Sequence, residues 1–327
     1  MRAIVQDAYG GAEMWRAAQI DVPEIADNEV LVKVHAAGLD RGTWHLMTGL
    51  PYLGRLALGL RKPKNRVPGI DLAGTVVTVG SSVTRFKVGD AVFGIGRGSF
   101  GEYAPARENK LARKPANLTF EQAAVVPVSG LTAIHGVRDA GRVAAGQRVL
   151  IVGASGGVGT YAVQLAKAFG ANVTGVSSTA KTDLVGSLGA DHVLDYTRGD
   201  FADGSQRYDV ILDIGGNAKL ARLRRALAPR GTLVIVGGEG GGKVTGGIGR
   251  QLRAVARSPF LRQRLTMVIP KEHYADLEVL GEFIEAGTVT PSIDRAYPLD
   301  EAADAMRHLE AGRVRGKLAI TVAAAGS

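Results

Sequence analysis

A glycine-rich turn is the clearest candidate for chemistry in this sequence. It runs from Gly153 to Gly159 (GASGGVG), directly after the apolar run 148–152 and directly before a helical pattern over 160–169. Glycines let a backbone approach a pyrophosphate closely, and a helix start offers free N–H groups and the positive end of the helix dipole. Because the turn lies between a strand and a helix, it predicts a dinucleotide-binding site. The alternative is a tight strand–helix turn without a ligand.

The end of the next predicted strand, 172–176, indicates which dinucleotide binds. Enzymes that use NAD place an acidic side chain about 20 residues after the first glycine, where it holds the ribose 2′-hydroxyl. Here no carboxylate occurs before Asp183. Hydroxyl groups and an ammonium suit a 2′-phosphate, so Ser178 and Lys181 predict NADP(H) as the cofactor. The alternative for Lys181 is a solvated residue at a helix start.

Two kinds of element must position these residues. The region from 148 to 236 alternates continuous apolar runs with helical patterns, which predicts a doubly wound parallel sheet. The first third instead has short segments of period two, such as 29–35 and 71–79, with glycines between them, which favours a small β-barrel. An arginine-rich stretch over 250–264 has helical character and is either a lid or a solvated helix face.

Composition excludes several function classes. The length of 327 residues allows about two domains. The absence of cysteine excludes disulfides, iron–sulfur clusters, a thiolate nucleophile and cysteine-ligated zinc. A membrane-spanning helix needs about 18 apolar residues, and no apolar run in the sequence approaches this length. No signal peptide is visible either, so we expect a cytoplasmic protein without a membrane partner. The net charge of +9 favours anionic partners such as a phosphorylated cofactor, nucleic acid or an acidic membrane surface.

The glycine-rich turn also carries a family resemblance. The stretch 146–167 (GQRVLIVGASGGVGTYAVQLAK) resembles the quinone oxidoreductase/zeta-crystallin pattern of the medium-chain dehydrogenase/reductase superfamily. Upstream, 67–94 (VPGIDLAGTVVTVGSSVTRFKVGDAVFG) is similar to the barrel segment of that superfamily. The similarity covers nearly the whole chain, and within the superfamily it is greatest to the zinc-free reductases.

The resemblance implies a domain organisation. It predicts a Rossmann-type doubly wound parallel sheet inserted into a GroES-like β-barrel domain. Residues 1–122 and 271–327 would form the GroES-like catalytic domain, and 123–270 the NADP(H)-binding domain. The resemblance also implies a homodimer, and the apolar stretch 265–269 is the candidate edge strand for pairing across a two-fold axis.

The resemblance to zinc-free members predicts no metal. Zinc alcohol dehydrogenases of the superfamily carry a cysteine in the segment matching 36–40, and Gly-His-Glu where this chain has Gly69-Ile70-Asp71. Both ligands are missing here. The histidines have no close metal-ligand spacing; they are His35, His45, His135, His192, His273 and His308.

Cofactor contacts follow from the resemblance by position. They are Ser155, Gly156, Gly157 and Val158 at the pyrophosphate, Ser178, Lys181 and Tyr196 at the 2′-phosphate, Thr132 near the nicotinamide ribose, Val236 and Gly238 beside the nicotinamide, and Arg313 and Arg315 in a segment that closes over the cofactor. One position departs from the family. Relatives often have Asp-Asn-Val-Gly where this chain has 213–216 (DIGG), so any polar contact from that asparagine is lost.

Without a metal or flavin motif, the hydride would come from NADPH, and the protein would orient the substrate and stabilise negative charge on its oxygen. A quinone or an enone is the expected acceptor. The candidate catalytic residues are Asp40, Trp44 and Tyr52. Relatives usually carry asparagine at Asp40, and an ionised aspartate accepts hydrogen bonds but cannot donate them. The Tyr52 phenol could donate to the substrate oxygen, although plain packing is the alternative for Tyr52 and Trp44.

Two other functions stay open. One is an enoyl reductase in a biosynthetic pathway, which would use the same fold and cofactor. The other is a non-enzymatic protein whose basic surface binds RNA or another anion under the control of NADPH. Motifs that interleave aromatic and basic residues, as in RNA-binding modules, are missing from the sequence. The enzyme is therefore favoured, and nucleic acid is not the expected partner.

Overall fold

The computed structural model describes residues 1–238 and 242–322. In chain order the strands are β1 (Arg2–Val5), β2 (Arg16–Gln19), β3 (Glu29–Leu39), β4 (Asp71–Val79), β5 (Ala91–Ile95), β6 (Tyr103–Arg107), β7 (Leu111–Arg113), β8 (Arg148–Val152), β9 (Asn172–Ser177), β10 (His192–Asp195), β11 (Tyr208–Asp213), β12 (Leu227–Ile235), β13 (Arg264–Met267), β14 (Ile293–Pro298) and β15 (Lys317–Thr321). The helices are α1 (Arg41–Thr48), α2 (Arg55–Leu58), α3 (Phe120–Ala124), α4 (Pro127–Ile134), α5 (Gly157–Ala168), α6 (Thr182–Ser187), α7 (Leu220–Ala226), α8 (Ile248–Arg257), α9 (Tyr274–Glu285) and α10 (Ala302–Glu310).

The chain divides into two compact units. Unit 1 contains residues 1–131, 272–287 and the segment from Pro291 onward, and unit 2 contains residues 132–271 and 288–290. Both chain ends thus contribute to unit 1, and unit 2 is inserted between them. The boundaries predicted from the sequence lie after residues 122 and 270.

Unit 2 is built on a parallel sheet. Its six strands lie in the order β10-β9-β8-β11-β12-β13, and every neighbouring pair is parallel. This is the strand order of a dinucleotide-binding fold, whose ligands bind at the carboxyl ends of the strands. The apolar residues 149–151 of β8 are buried in the middle of the sheet, as predicted, since helices cover both faces of such sheets. The predicted doubly wound parallel sheet is confirmed.

Unit 1 contains a mainly antiparallel sheet. Its seven strands include the path β14-β15-β3-β4-β5-β7, and β6 pairs with β3 as well. The long strand β3 is central because it pairs with three other strands. Its side chains and those of β4 and β15 are mostly buried, and they carry apolar residues into the core of the unit. This sheet places the ends of β3, β4 and β15 close together, which determines the ionic cluster described below.

Candidate cofactor site and active-site residues

The glycine-rich turn joins β8 to α5 in unit 2. Gly153 adopts a φ of +89°, which side-chain-bearing residues rarely adopt. A Cβ on Gly159 would lie 2.1 Å from the Gly153 carbonyl oxygen, so only glycine allows the helix to start this close to the turn. A Cβ on Gly156 would instead meet only that carbonyl oxygen, at 3.5 Å, and would otherwise project into open space.

This turn fits the diphosphate of a dinucleotide. Gly156 is the N-cap of α5, and no side chain caps the helix, so its first-turn N–H groups have no side-chain acceptor. The helix is twelve residues long, and its dipole favours an anion at this end. The four predicted pyrophosphate residues all lie in the turn or in the first turn of α5: Ser155, Gly156, Gly157 and Val158.

The three residues predicted to hold a 2′-phosphate lie at one edge of the same sheet. Ser178 follows β9 directly, Lys181 ends a 3₁₀ turn (Thr179–Lys181), and Tyr196 follows β10. Because β9 and β10 are parallel neighbours, their carboxyl ends meet. The backbone N–H of Tyr196 donates to the Ser177 carbonyl at 3.1 Å, and the Tyr196 side chain is exposed. The structure therefore brings this predicted group together.

Asp195 holds the turn that carries Lys181. Its carboxylate accepts hydrogen bonds from the hydroxyl of Thr179, at 2.5 Å, and from the hydroxyl of Thr197, at 2.7 Å. The Thr179 hydrogen bond lowers the pKa of Asp195, with smaller contributions from Thr197 and Arg198, and keeps the carboxyl group ionised. Sequence reasoning missed this positioning role, because a single aspartate at a strand end carries no partner information.

The predicted nicotinamide residues follow the carboxyl end of β12. The Val236 N–H donates to the Asp213 carbonyl at 3.0 Å, which ties the start of this segment to β11. Gly238 approaches Gly247 closely, since a Cβ on Gly238 would lie 2.8 Å from its Cα. Thr132 lies on α4, at the first position of unit 2. The contacts of these three residues with a cofactor stay a prediction.

Asp213 lies at the end of β11 and pairs with an arginine of α8. Its carboxylate is fully buried and accepts a hydrogen bond from Arg250, which also donates to the Ala218 carbonyl at 2.7 Å. Burial raises the pKa of Asp213, although the Arg250 guanidinium partly opposes this effect. The ion pair fixes α8 against the strand end, in the segment where relatives often carry Asp-Asn.

In unit 1, Asp40 is part of a buried ionic cluster. It is the N-cap of α1, where its Oδ1 accepts a hydrogen bond from the Thr43 N–H at 3.0 Å. Its Oδ2 faces the Lys317 ammonium at 3.4 Å, and the same ammonium lies 3.6 Å from Asp71 Oδ2. Asp71 Oδ1 accepts from the Val128 N–H, which ties α4 to the cluster. Lys317 thus bridges the ends of three elements.

The charges of this cluster balance only when one of its two carboxyl groups is protonated. Two carboxyl groups share one ammonium, and the side chains of Lys317 and Asp71 are 1% and 0% exposed. Burial raises the pKa of Asp71 well above its ordinary value; the ammonium of Lys317 opposes this shift and the carboxylate of Asp40 adds to it. Sequence reasoning identified Asp40 but missed Asp71 and Lys317 as its partners.

The other predicted catalytic residues lie in the same unit, near α1. The Trp44 indole N–H donates to Glu310 at 2.9 Å, so Trp44 connects α1 to α10. Tyr52 is 44% exposed, with the Arg55 guanidinium 4.7 Å from its ring centroid. Its hydroxyl has no hydrogen-bond partner among the described residues, and its contact with a substrate stays a prediction.

The predicted arginines of the closing segment precede β15. Arg313 is exposed, and the Arg315 N–H donates to Asp294 at 3.2 Å. Their contact with the cofactor stays a prediction.

The residues of this chain do not fit the catalytic zinc site of the superfamily. Ile70 stands at the position of the histidine ligand, and the two nearby carboxylates, Asp40 and Asp71, already share the Lys317 ammonium. Across residues 1–238 and 242–322, no group of three or more histidine, cysteine, aspartate or glutamate side chains could hold a metal ion. A cation of the protein itself thus occupies the space between these carboxylates.

Comparison with protein families agrees with this architecture. The family "Alcohol dehydrogenase GroES-like domain" matches residues 26–116, and "Zinc-binding dehydrogenase" matches residues 188–320. A "2-methylene-furan-3-one reductase" of Solanum lycopersicum is 35% identical over 98% of this chain and 79% of its own length. The chain belongs to the medium-chain dehydrogenase/reductase superfamily. The predicted GroES-like and Rossmann-type domains are confirmed.

Further relatives of this superfamily member are oxidoreductases. An "NADPH-dependent alkenal/one oxidoreductase, chloroplastic" of Arabidopsis thaliana is 34% identical over 98% of this chain and 79% of the relative. The solved structure of the quinone oxidoreductase from Coxiella burnetii has a TM-score of 0.88 at 29% identity and covers 99% of both chains. The Escherichia coli quinone oxidoreductase complexed with NADPH has a TM-score of 0.83 at 26% identity, over 98% of this chain and 100% of that one. The chain is an NAD(P)H-dependent oxidoreductase of small molecules.

The helices of the described residues do not include one that is long and apolar enough to cross a membrane. The cytoplasmic location stays a prediction, since relatives of the same superfamily include chloroplast and mitochondrial proteins.

Proposed function

We propose that this protein is a metal-free reductase that uses NADPH to transfer a hydride to an activated carbon–carbon double bond or to a quinone. The activated double bond would belong to an α,β-unsaturated carbonyl compound. The names of two relatives, a methylene-furanone reductase and an alkenal/one oxidoreductase, support the first acceptor. A quinone oxidoreductase of Sus scrofa, 32% identical over 93% of this chain, supports the second.

The observation that carries the choice of NADPH is the edge formed by Ser178, Lys181 and Tyr196. The segment after β9 holds hydroxyl groups and an ammonium, and no acidic side chain occurs there before Asp183. An ammonium stabilises the dianionic 2′-phosphate of NADPH, whereas the ribose hydroxyls of NADH call for a carboxylate at this position. Asp195 supports the edge indirectly, because it hydrogen-bonds the Thr179 hydroxyl and thereby holds the turn that carries Lys181.

Each group of functional residues has a separate task. The bound cofactor supplies the hydride. The N–H groups at the start of α5 bind the diphosphate, and the glycines of the turn leave space for it. The Tyr52 hydroxyl donates a hydrogen bond to the substrate oxygen, where negative charge develops during reduction. Asp40 cannot donate when it is ionised, and its Oδ1 already accepts from Thr43, so its task is to cap α1 and thereby hold Trp44.

The protein functions as a homodimer in this proposal. Strand β13 forms an open edge of the parallel sheet in unit 2, and two apolar side chains beside it are strongly exposed, Phe260 at 87% and Ile269 at 68%. An open edge with exposed apolar groups is an aggregation hazard unless another chain covers it. Pairing with a second copy across a two-fold axis would cover both features.

Cofactor titration followed by a substrate panel tests the proposed function. We expect NADPH to bind at least about tenfold more tightly than NADH, a difference of about 1.4 kcal/mol. A Lys181→Ala variant should lose most of this preference while its affinity for NADH stays unchanged, because NADH has no 2′-phosphate. Lys87→Ala, which removes an exposed lysine of unit 1, is the matched control and should keep the preference.

The substrate panel compares an enone, a quinone and an enoyl thioester by loss of the nicotinamide absorbance band. Turnover of the enone or the quinone with NADPH supports the proposal, and the higher kcat/KM identifies the acceptor. Faster turnover of the thioester would favour an enoyl reductase instead. Equal affinity for NADPH and NADH, or an unchanged preference in Lys181→Ala, would contradict the argument from Ser178, Lys181 and Tyr196.

A further inference from the structure

A second basic site lies in unit 2, apart from the residues assigned to the dinucleotide. A cavity of about 360 Å³ opens between the segment after β11 and helix α8. It is lined by Gly216, Asn217, Ala218, Lys219, Leu220, Arg250, Arg253 and Arg257. None of the residues assigned to the pyrophosphate, the 2′-phosphate or the nicotinamide is in this lining.

The three arginines lie on one side of α8. Their spacing of three and then four residues places them about one helical turn apart on the same face. Arg250 points inward, and Asp213 neutralises its charge. Arg253 and Arg257 are exposed at the cavity, and they form no ion pair with an acidic side chain in the part of the chain that the structure describes.

The charged side chains that line the cavity are all hydrogen-bond donors. Lys219 adds a third exposed cation at its rim, and no acidic residue lines it among residues 1–238 and 242–322. Arg250 Nη1 is buried, and no acceptor of the described residues reaches it. Arg253 uses its Nε for the Gly249 carbonyl, at 3.1 Å, which leaves the two terminal nitrogens of its guanidinium available.

The grouping of Lys219, Arg253 and Arg257 at one cavity is unfavourable without a bound anion. Cations held on one helix face repel one another, and water screens this repulsion less well inside a cleft than on an open surface. A phosphate group offers several strong acceptors and up to two negative charges, and arginine binds it through two parallel hydrogen bonds. A volume of about 360 Å³ lies within the range of small-molecule sites and accommodates a diphosphate or a phosphorylated group of similar size.

We propose that the cavity lined by Lys219, Arg253 and Arg257 binds a phosphate-bearing group other than the diphosphate of the dinucleotide. Two sources share this chemistry. One is the phosphorylated carrier of a substrate, such as the coenzyme A part of an enoyl thioester, in which case the inference rests on the reductase function and favours the enoyl reductase over a reductase of free enones and quinones. The other is a free phosphate or nucleotide that does not react.

Calorimetric titration with inorganic pyrophosphate, on protein saturated with NADP⁺, tests the site itself. Saturation with NADP⁺ keeps the probe out of the glycine-rich turn. We expect one saturable site, weakened at least about tenfold in the double variant R253Q/R257Q, because two charge-assisted contacts are lost. The double variant R207Q/R230Q also removes two exposed arginines of unit 2 and should bind pyrophosphate as the wild type does. Absence of saturable binding, or equal binding by R253Q/R257Q, would overturn the proposal.

A kinetic comparison then identifies the source of the phosphate. The probes are an enoyl thioester of coenzyme A and the same acyl group on N-acetylcysteamine, which has no phosphate. A KM increase in R253Q/R257Q for the coenzyme A ester alone supports the substrate carrier. Loss of pyrophosphate binding with both KM values unchanged supports a free phosphate. If none of the esters, enones and quinones is reduced, the proposed function fails, but the calorimetric result still decides whether the cavity binds phosphate. Displacement of NADP⁺ by pyrophosphate in the wild type but not in R253Q/R257Q would show that the cavity belongs to the dinucleotide site, which contradicts the proposal.

Discussion

Removal of the Lys317 ammonium should destabilise unit 1 strongly. Lys317 is 2% exposed, and its ammonium lies 3.4 Å from Asp40 and 3.6 Å from Asp71. At an effective dielectric constant of about 20, each contact corresponds to about 5 kcal/mol of Coulomb attraction. Desolvation of the three groups offsets much of this attraction, so loss of one partner from a buried pair costs about 3–5 kcal/mol. The variant Lys317→Met should lose stability by that amount at neutral pH.

Tryptophan fluorescence during urea unfolding measures this loss in the correct unit. The chain has two tryptophans, Trp15 and Trp44, and both lie in unit 1. The matched control is Lys110→Met, because Lys110 pairs with Glu272 at 2.5 Å in the same unit but at the surface. An exposed pair contributes at most about 1 kcal/mol. The buried and exposed lysines should therefore differ clearly in the free energy of unfolding.

The loss should also depend on pH. Burial raises the pKa of Asp71, and the Lys317 ammonium opposes this rise, so the pKa should rise further in Lys317→Met. A raised carboxyl pKa in the folded state gives stability that is present below the unfolded value and is lost as pH rises through the folded value. The variant should therefore be closest to the wild type near pH 4 and lose most at pH 8.

A second substitution checks the cause. Adding Asp71→Asn to Lys317→Met removes the uncompensated buried carboxylate and should restore most of the lost stability. A Lys317→Met protein that unfolds at the same urea concentration as the wild type at both pH values would refute the reasoning. The reasoning would also fail if the double variant were less stable than Lys317→Met.

Two further predictions concern unit 2. Gly159→Ala should lower both the stability of the protein and its affinity for NADP⁺, because the added Cβ would lie 2.1 Å from a backbone oxygen. Gly156→Ala should keep the thermal midpoint and lower only the affinity for NADP⁺, since its Cβ enters open space. Calorimetry of unfolding and of binding separates the two effects. Wild-type protein should be a dimer in light scattering. The double variant Phe260→Glu, Ile269→Glu should be a folded monomer, because both side chains are exposed on the single chain. A monomeric wild type would contradict the proposed pairing through β13.

Local patterns were sufficient to predict the parallel sheet and the glycine-rich turn, whereas the insertion of one domain into the other was implied by the family resemblance. A continuous apolar run such as β8 favours burial on both faces of a parallel sheet, and the glycines of 153–159 mark the turn that follows it. The edge of Ser178 and Lys181 could be predicted for the same reason, since both residues lie within a few positions of the end of β9. In each case the information lies in neighbouring residues.

The ionic contacts could not be predicted, because their partners are far apart in the chain. Asp40 and Lys317 are separated by 277 positions, and only the antiparallel pairing of β3 with β15 brings them together. Similarly, the arginine-rich stretch 250–264 was predicted as a lid or as a solvated helix face. The solvated helix face does not describe Arg250, whose side chain is 14% exposed and paired with the buried Asp213, and the lid stays a prediction.

These contacts change what the net charge of +9 means for ligand binding. Lys317 and Arg250 contribute to that total, but Lys317 is buried, the Arg250 side chain is only 14% exposed, and each is paired with aspartate within its own unit, so neither attracts an anion from solution. The attraction must come from the exposed cations that face a cavity without acidic neighbours among the described residues, such as Arg253 and Arg257. Binding of anions should therefore depend on where these side chains lie rather than on the total charge. R207Q/R230Q has the same net charge as R253Q/R257Q, so a comparison of the two variants separates the effect of position from that of total charge.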